Sequence, residues 1–422
     1  MPKKPLNILM LTEYFYPHNR GGSEWSSYFL AKSLIKLGHK VSILTPNYGA
    51  RPSQKWKGIN IYRFFIGKKL GRKDRVLTPF WHSNFFWNFQ ASRNISKLIN
   101  LKSFDVIHIQ GKYFLKSAVS SAKANNIPVV FTARDYQTIC SLGFCLWKKN
   151  TRCSFSKYLT EDIVKYKKLY QTHFPKWLKF LFLPLHLRSR FVTNQLQKWA
   201  KKTDAVICIS KKQQRIFAAN GFANTQVIYN SVEFPKAGKI IKKNKLVYVG
   251  RLTPGKGVHL LIPALEKIAS STDLKLTIVG RGFLKDKLVR QAKKTKLSDR
   301  IKFIDQISHH NVLKLYAESK LAIFPSLWPE PFGRGPLEAL SQTIPSVTSN
   351  RGGLPEIIQG KYGISVTPTP ESLAQGINTV LANNAKFVSQ IVKDKNKLVI
   401  KFSLNPAKNY QTLYYSLLEK NK

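Results

Sequence analysis

The chain has 422 residues, 43% hydrophobic and 12% aromatic, with 70 Lys and Arg against 21 Asp and Glu, a net charge of +49. That length exceeds one ordinary core and that apolar content excludes a disordered chain, so two packed domains are expected. The charge attracts polyanions of every kind, whether nucleic acid, anionic lipid or phosphorylated substrates, and does not choose among them.

At the start, Lys3 and Lys4 precede an apolar run, residues 6–11, which Glu13 closes too early for a secretory leader. It reads as a first buried strand and the chain as cytoplasmic. Short apolar runs then recur between segments of helical period, at 7–11, 41–45, 105–109, 128–132 and 205–209. Strands alternating with helices predict a parallel sheet covered on both faces. Residues 158–202 interrupt the pattern with Lys and Arg among Trp177, Phe180, Phe182, Phe191 and Trp199. Such a basic, aromatic insertion either packs onto the first domain or lies in a membrane interface.

The stretch 231–245 carries Pro235, Gly238 and several lysines without apolar periodicity, and reads as a linker. The strand pattern restarts at 246–250, 274–280, 301–304, 321–325 and 345–348. The expected fold is therefore α/β, with two Rossmann-like domains, 1–230 and 246–400. A C-terminal helix over 401–422, apolar at Leu404, Tyr410, Leu413, Tyr414, Leu417 and Leu418, must bury that face and is expected to pack back on the N-terminal domain. No run reaches the roughly 18 apolar residues of a membrane span, the longest, 180–187, being broken by Pro184. Cys140, Cys145 and Cys153 lack a Cys-x2-Cys pair and a fourth ligand, so reduced thiols in a loop are expected rather than zinc.

The most informative segment is 325–340, reading Pro-Ser-Leu-Trp-Pro-Glu-Pro-Phe-Gly-Arg-Gly-Pro-Leu-Glu-Ala-Leu. It predicts a strand, a loop and a helix with Pro336 in its first turn. A helix N-terminus reached through a glycine-rich loop suits a diphosphate. Glu330 and Glu338, eight residues apart, supply carboxylates for sugar or ribose hydroxyls. The segment resembles the E-x7-E motif of family 4 of the retaining glycosyltransferases, and Pro345-Ser346-Val347 and Gly352-Gly353-Leu354-Pro355-Glu356 continue the likeness.

That resemblance implies a GT-B fold, two Rossmann-like domains facing each other across a deep cleft, the first for the acceptor and the second for the donor. It implies a nucleotide-diphosphate sugar as co-substrate, with no cofactor and no metal. Glu330 would contact the donor sugar and Glu338 the ribose, while Phe332, Gly333 and Arg334 would line the sugar-phosphate site. Arg251 and Lys256, in a turn after a buried strand, would neutralise the departing diphosphate, so Glu330, Arg251 and Lys256 are the catalytic candidates. Gly21 and Gly22 would face the donor phosphates. Gly280 would lie near the base, although Asp305 stands where the family often has glycine.

On the acceptor side, Arg134 occupies a position where the family commonly has histidine, followed by Asp135. An arginine cannot serve as general base, but it can stabilise negative charge. His108 is a further candidate lining residue. Retention needs no dedicated base if the departing phosphate oxygen takes the acceptor proton, as the family is thought to do. The resulting expectation is transfer to a lipid-linked or polysaccharide acceptor of the cell envelope. The enzyme would be peripheral on the inner face of the plasma membrane, partnered by its anionic surface and not by a specific nucleic acid. The alternative, a non-catalytic polyanion- or membrane-binding protein on the same scaffold, rests on charge alone.

Overall fold

The computed structural model describes residues 4–18, 21–70, 84–141, 143, 183–234, 244–268 and 273–420. Two sheets organise them. The first contains β1 (Asn7–Leu11), β2 (Lys40–Pro46), β3 (Ser53–Trp56), β4 (Ile59–Phe64), β5 (Val106–Ile109), β6 (Val129–Ala133), β7 (Ala205–Cys208) and β8 (Thr225–Val227). Its order is β3-β4-β2-β1-β5-β6-β7-β8, parallel except for β3, which runs antiparallel on β4.

Alternation along β1 decides what covers each face. Leu9 and Leu11 join Trp87, Phe114 and Ile107 under α2 (Phe85–Leu101), α3 (Leu115–Lys123) and α4 (Leu183–Ala200). Ile8 and Met10 point the other way, to Phe29, Leu30 and Leu34 of α1 (Gly22–Lys36). Helix α5 (Lys211–Ala219) follows β7. Within the 158–202 insertion, residues 158–182 lie outside the described residues, while Trp199 and Leu196 of α4 pack on the N-terminal core.

The second sheet holds β9 (Lys245–Val249), β10 (Lys275–Val279), β11 (Ile301–Ile304), β12 (Leu321–Phe324), β13 (Ser346–Ser349) and β14 (Gly363–Val366), in the order β11-β10-β9-β12-β13-β14 and parallel throughout. It is covered by α6 (Leu261–Glu266), α7 (Lys285–Lys293), α8 (His309–Ala317), α9 (Arg334–Ser341), α10 (Leu354–Ile358) and α11 (Pro370–Ala382). In both sheets the strand order reverses beside the first strand, between β1 and β5 and between β9 and β12. Such switch points open a crevice at the carboxyl ends of the strands, where ligands bind.

The chain passes between the domains twice. After β8 it leads to β9, and after α12 (Asn384–Lys393) and α13 (Lys395–Val399) a π turn, Ile400–Leu404, carries it back. The two passages touch, Val232 N–H donating to the Phe402 carbonyl at 3.0 Å, with Tyr229, Phe332 and Phe402 packed together beside them. Helix α14 (Asn405–Lys420) then buries Tyr410, Leu413, Tyr414 and Leu417 in the cluster shared by β1, β2 and α1 of the N-terminal domain.

Two expectations are corrected here. Cys140 is disulfide-bonded rather than reduced, Cys145 and Cys153 lie outside the described residues, and Cys208 is a free buried thiol. Strands β3, β4, β8 and β14 carry no signal that the apolar-run reading detects, because β3, β8 and β14 are edge strands and β4 interleaves Asn60 and Arg63 with its apolar residues. Among the described residues, no helix is long and apolar enough to cross a membrane.

Candidate active site

On the C-terminal side, β9 ends in a turn that brings Lys256 over the end of β12. Gly257 makes this possible. Its φ is +67°, and a Cβ there would lie 1.8 Å from the Pro325 carbonyl oxygen, a contact no side chain tolerates. Lys256 Nζ meets Glu330 Oε1 at 2.5 Å. The same carboxyl oxygen accepts from Ser326 Oγ at 2.7 Å and Trp328 Nε1 at 2.8 Å. Burial pushes the Glu330 pKa upward, but the Lys256 charge and these hydrogen bonds outweigh it and hold the carboxylate below its usual range. Lys256 is shifted down, because burial and Arg251 together exceed the pull of Glu330. Arg251 is exposed; its guanidinium and the Lys256 ammonium lie 5.8 and 4.9 Å from the Trp328 ring.

One helical turn separates Arg334 from Glu338, and Arg334 Nε lies 2.7 Å from Glu338 Oε1. His309 Nε2 reaches the same oxygen at 2.9 Å. Burial raises the Glu338 pKa, yet Arg334 and His309 bring it below the usual value. Arg334 then crosses into the N-terminal domain, where Nη1 donates to Ser26 Oγ at 3.2 Å and the guanidinium lies 5.1 Å from the Phe29 ring. The absence of a side chain at Gly22 admits it: a Cβ there would be 3.1 Å from Arg334 Cδ. Arg334 Nη2 is buried with no hydrogen-bond partner.

Gly21, on the same loop, precedes α1 and donates its N–H to Glu24 Oε2 at 2.5 Å. Gly280 directly follows β10, donates to the Ile304 carbonyl at 3.0 Å, and is one strand away from Arg251. Asp305 pairs with Lys285 at 2.5 Å on the surface. Phe332 is turned into the core against Tyr229 and Phe402, so only its backbone can line a ligand site. Gly333, in the left-handed region at φ +118°, caps α9.

On the N-terminal side, Arg134 follows β6 and is fixed by Gln110 Oε1, 3.0 Å from its Nε, and by Asn230 Oδ1. Burial lowers its pKa to about 10, with nearby Arg334 contributing. It therefore remains a cation and presents charge toward the other domain. Asp135 turns aside, binding Lys112 Nζ at 2.5 Å and the Gln137 N–H at 2.9 Å.

His108 does not line the cleft. It is fully buried under α14, with Nδ1 2.6 Å from the Tyr414 hydroxyl and Nε2 2.7 Å from the Thr132 hydroxyl. Burial drives its pKa well below the ordinary histidine value, and Arg134 adds to the effect. Gln110 Nε2, 2.8 Å from His108 Nε2, links it to Arg134, so it acts from behind the surface.

Sequence reasoning passes over several residues that the fold brings to the site. Ser326 and Trp328 stand inside the quoted motif and are identifiable as supports of Glu330. Trp25, Ser26 and Glu24 adjoin the two glycines. His309 and Asn230 lie far from any motif in the chain, and no spacing signals them, while Gln110 stands two residues after the candidate His108. The domains also dock away from the cleft: Glu356 accepts from the Lys211 and Lys212 N–H groups at 2.9 and 2.7 Å, and Ser210 Oγ donates to the Pro331 carbonyl at 2.6 Å.

Two carboxylates held by cations, at the switch points of paired Rossmann-like sheets, invite comparison with known proteins. Residues 20–234 match Glycosyltransferase Family 4, and residues 231–398 match Glycosyl transferases group 1. The chain belongs to this glycosyltransferase family. An uncharacterized glycosyltransferase of Methanocaldococcus jannaschii is 25% identical over 393 residues, covering 90% of both chains. The phosphatidylinositol N-acetylglucosaminyltransferase GPI3 subunit of Saccharomyces cerevisiae is 24% identical over 397 residues, 89% of this chain and 75% of the relative. Among solved structures, Anabaena HepE, determined with UDP and glucose, superposes with TM-score 0.67 at 18% identity, covering 97% of this chain and 99% of that one. Sucrose-phosphate synthase from Thermosynechococcus elongatus gives 0.73 at 16% identity, over 98% and 100% of the two chains. The group 1 match spans every cation and carboxylate of the C-terminal half of the site, and the glycosyltransferase fold is the GT-B type.

Proposed function

We propose that this glycosyltransferase moves a hexose from a nucleotide-diphosphate sugar to a lipid-linked or polysaccharide acceptor of the cell envelope, with retention at the anomeric carbon. The observation that carries the reading is the Lys256–Glu330 pair at the mouth of the donor-side switch point. A carboxylate kept ionised and oriented by three donors suits sugar hydroxyls, and the ammonium beside it suits the diphosphate oxygens on which charge develops. Arg251 adds a second cation. The buried, unpartnered Nη2 of Arg334 calls for an anion, which a donor phosphate supplies.

Glu338 would take the ribose hydroxyls, and the α9 N-terminus would face the diphosphate. A UDP-sugar donor is supported by the UDP-glucose complex of Anabaena HepE, a neighbour in fold at 18% identity. Arg134, fixed by Gln110 and Asn230, would hold negative charge on the acceptor side and not remove a proton. The departing phosphate oxygen would accept the proton of the acceptor hydroxyl as the new glycosidic bond forms on the same face. A lipid-linked acceptor places the enzyme on the cytoplasmic face of the plasma membrane, where the charge of +49 favours an anionic surface.

The test is release of nucleoside diphosphate by the purified chain from common nucleotide sugars, with membrane extract as acceptor source, together with the anomeric configuration of the product. Release with a retained anomeric centre, abolished in Glu330→Gln, is expected. No release from any donor, or an inverted product, overturns the reading.

A further inference from the structure

Five phenylalanines are exposed on the described part of the N-terminal domain, and the topology gathers them toward one edge. Phe65, 61% exposed, directly follows β4 at the carboxyl end of the sheet. Helices α2 and α4 each precede a parallel strand, β5 and β7, so they run back across the sheet and begin at that same carboxyl edge. Their N-terminal halves carry the other four: Phe85 at 85% exposure, Phe86 and Phe89 on α2, and Phe191, with Leu187, on α4. Both helices cover the same face of the sheet, through Trp87, Ala91 and Ile95 of α2 and Leu196 and Trp199 of α4.

This is not the back of a core face. The core side of α2 is satisfied by buried Trp87, Ala91, Ile95 and Leu98, while its outer stripe reads Phe85, Phe89, Arg93, Lys97 at successive four-residue steps. An outer stripe in a soluble protein is ordinarily polar along its length. Here it begins with two phenylalanine rings stacked at 6.3 Å and continues in cations. Helix α4 repeats the pattern with Leu187 and Phe191 beside Arg188 and Arg190. Neither helix contains a single Asp or Glu.

We infer that this phenylalanine-tipped edge, built from the N-terminal halves of the acid-free helices α2 and α4, docks the N-terminal domain onto an anionic lipid surface. Aromatic rings seated at the interface with cations just behind them are the arrangement an anionic bilayer surface holds, the rings in the headgroup layer and the cations on its charge. A second copy of the chain would bring the same cations face to face and repel. The edge lies at the carboxyl side of the sheet, where the acceptor crevice opens, so a membrane-borne acceptor would reach the cleft without leaving its surface. The inference deepens the proposed function and rests on its reading of a lipid-presented acceptor.

The test is flotation of the full chain with vesicles of phosphatidylglycerol and phosphatidylcholine, and with phosphatidylcholine alone. Wild type should float with the anionic vesicles at low salt and not with the neutral ones. Arg93→Gln combined with Lys97→Gln removes two surface charges and should lower partitioning about thirtyfold. Phe85→Ser, Phe86→Ser and Phe89→Ser together should abolish flotation, with an unchanged thermal midpoint showing that the fold persists. Flotation of the triple variant equal to wild type, failure of wild type to float, or a wild-type dimer that the triple variant loses would each overturn the inference. Nucleoside diphosphate release, measured in parallel with a detergent-solubilised extract, separates the two readings. Release without flotation sinks the docking surface alone, and flotation without release sinks the transferase reading alone.

Discussion

Trp25 of the N-terminal domain stacks on His309 of the C-terminal domain, ring centroids 4.6 Å apart and planes within 24°. His309 also contacts Glu338 at 2.9 Å. The carboxylate read as the ribose contact is thereby tied to helix α1 across the cleft. Replacing Trp25 or His309 with alanine is predicted to raise the donor KM about two- to tenfold, the worth of one aromatic pair, with a smaller effect on kcat. Initial-rate kinetics at varied donor concentration decide it, and an unchanged KM in both variants refutes the link.

Glu330 and Lys256 should respond differently to truncation and to isosteric change. Glu330→Ala leaves a largely buried ammonium unpaired, with an expected cost of up to about 3–5 kcal/mol. Glu330→Gln can still accept from Ser326 and Trp328, so it should cost less stability while lowering kcat by about a hundredfold or more. Thermal unfolding and turnover measured on both variants separate the two effects. Equal stability losses would show that the charge, and not the hydrogen bonds, holds the site together.

Gly257→Ala should damage the site from one methyl group. The positive φ and the Pro325 carbonyl both oppose it, so the Lys256 turn must move away from β12. A drop in melting temperature with loss of turnover is expected, and wild-type activity in this variant would contradict the geometry.

Acid unfolding carries opposed signatures. Glu330 and Glu338 have pKa values below 4.5 in the folded chain, so their contribution is complete above that value and is lost as pH falls through the folded values. Glu24 is raised, chiefly by burial, so its contribution is complete below 4.5 and is lost as pH rises through its folded value. Glu338→Gln should therefore flatten the acid limb of a stability-against-pH curve. Glu24→Gln, whose amide oxygen still caps Gly21, should gain stability relative to wild type as pH rises toward neutral. Denaturant midpoints across that range measure both, and slopes of the opposite sign would refute the assignments.

Tyr414→Phe removes the hydroxyl that lies 2.6 Å from the buried His108 Nδ1. An expected cost of about 1–3 kcal/mol follows from leaving a buried polar atom unsatisfied. Because His108 is linked through Gln110 to Arg134, a fall in kcat at constant donor KM should accompany it. Unfolding midpoints and kinetics of the variant test both consequences.

Much of this architecture is legible in the chain itself. The run at 7–11 is a strand over those same residues, because a strand buried on both faces is written as a nearly unbroken apolar stretch. Strand β3, Ser-Gln-Lys-Trp, is not legible, since an edge strand with one wet face needs no such stretch. In the site, Glu330, Glu338, Arg334 and Lys256 stand in two short segments whose glycines and prolines announce a turn, and the fold sets them beside one another. The histidines show the limit. His108, at the end of a strand near the crevice, looks accessible in sequence, and only the position of α14 shows that it is covered. His309, adjoining nothing, reaches Glu338 because α8 and α9 pack side by side.

The placement of α14 bears on how the chain acquires its structure during synthesis. Ile8 and Met10 leave the ribosome long before Tyr410 and Tyr414, the aromatic rings that complete their core. The N-terminal domain thus cannot close on its own schedule while the C-terminal domain is still being made. Its β-sheet must wait half-covered, with the hydroxyl partners of His108 and Thr132 still missing. Closure by α14 therefore couples the core of the N-terminal domain to completion of the C-terminal one, and makes that helix a checkpoint on everything before it.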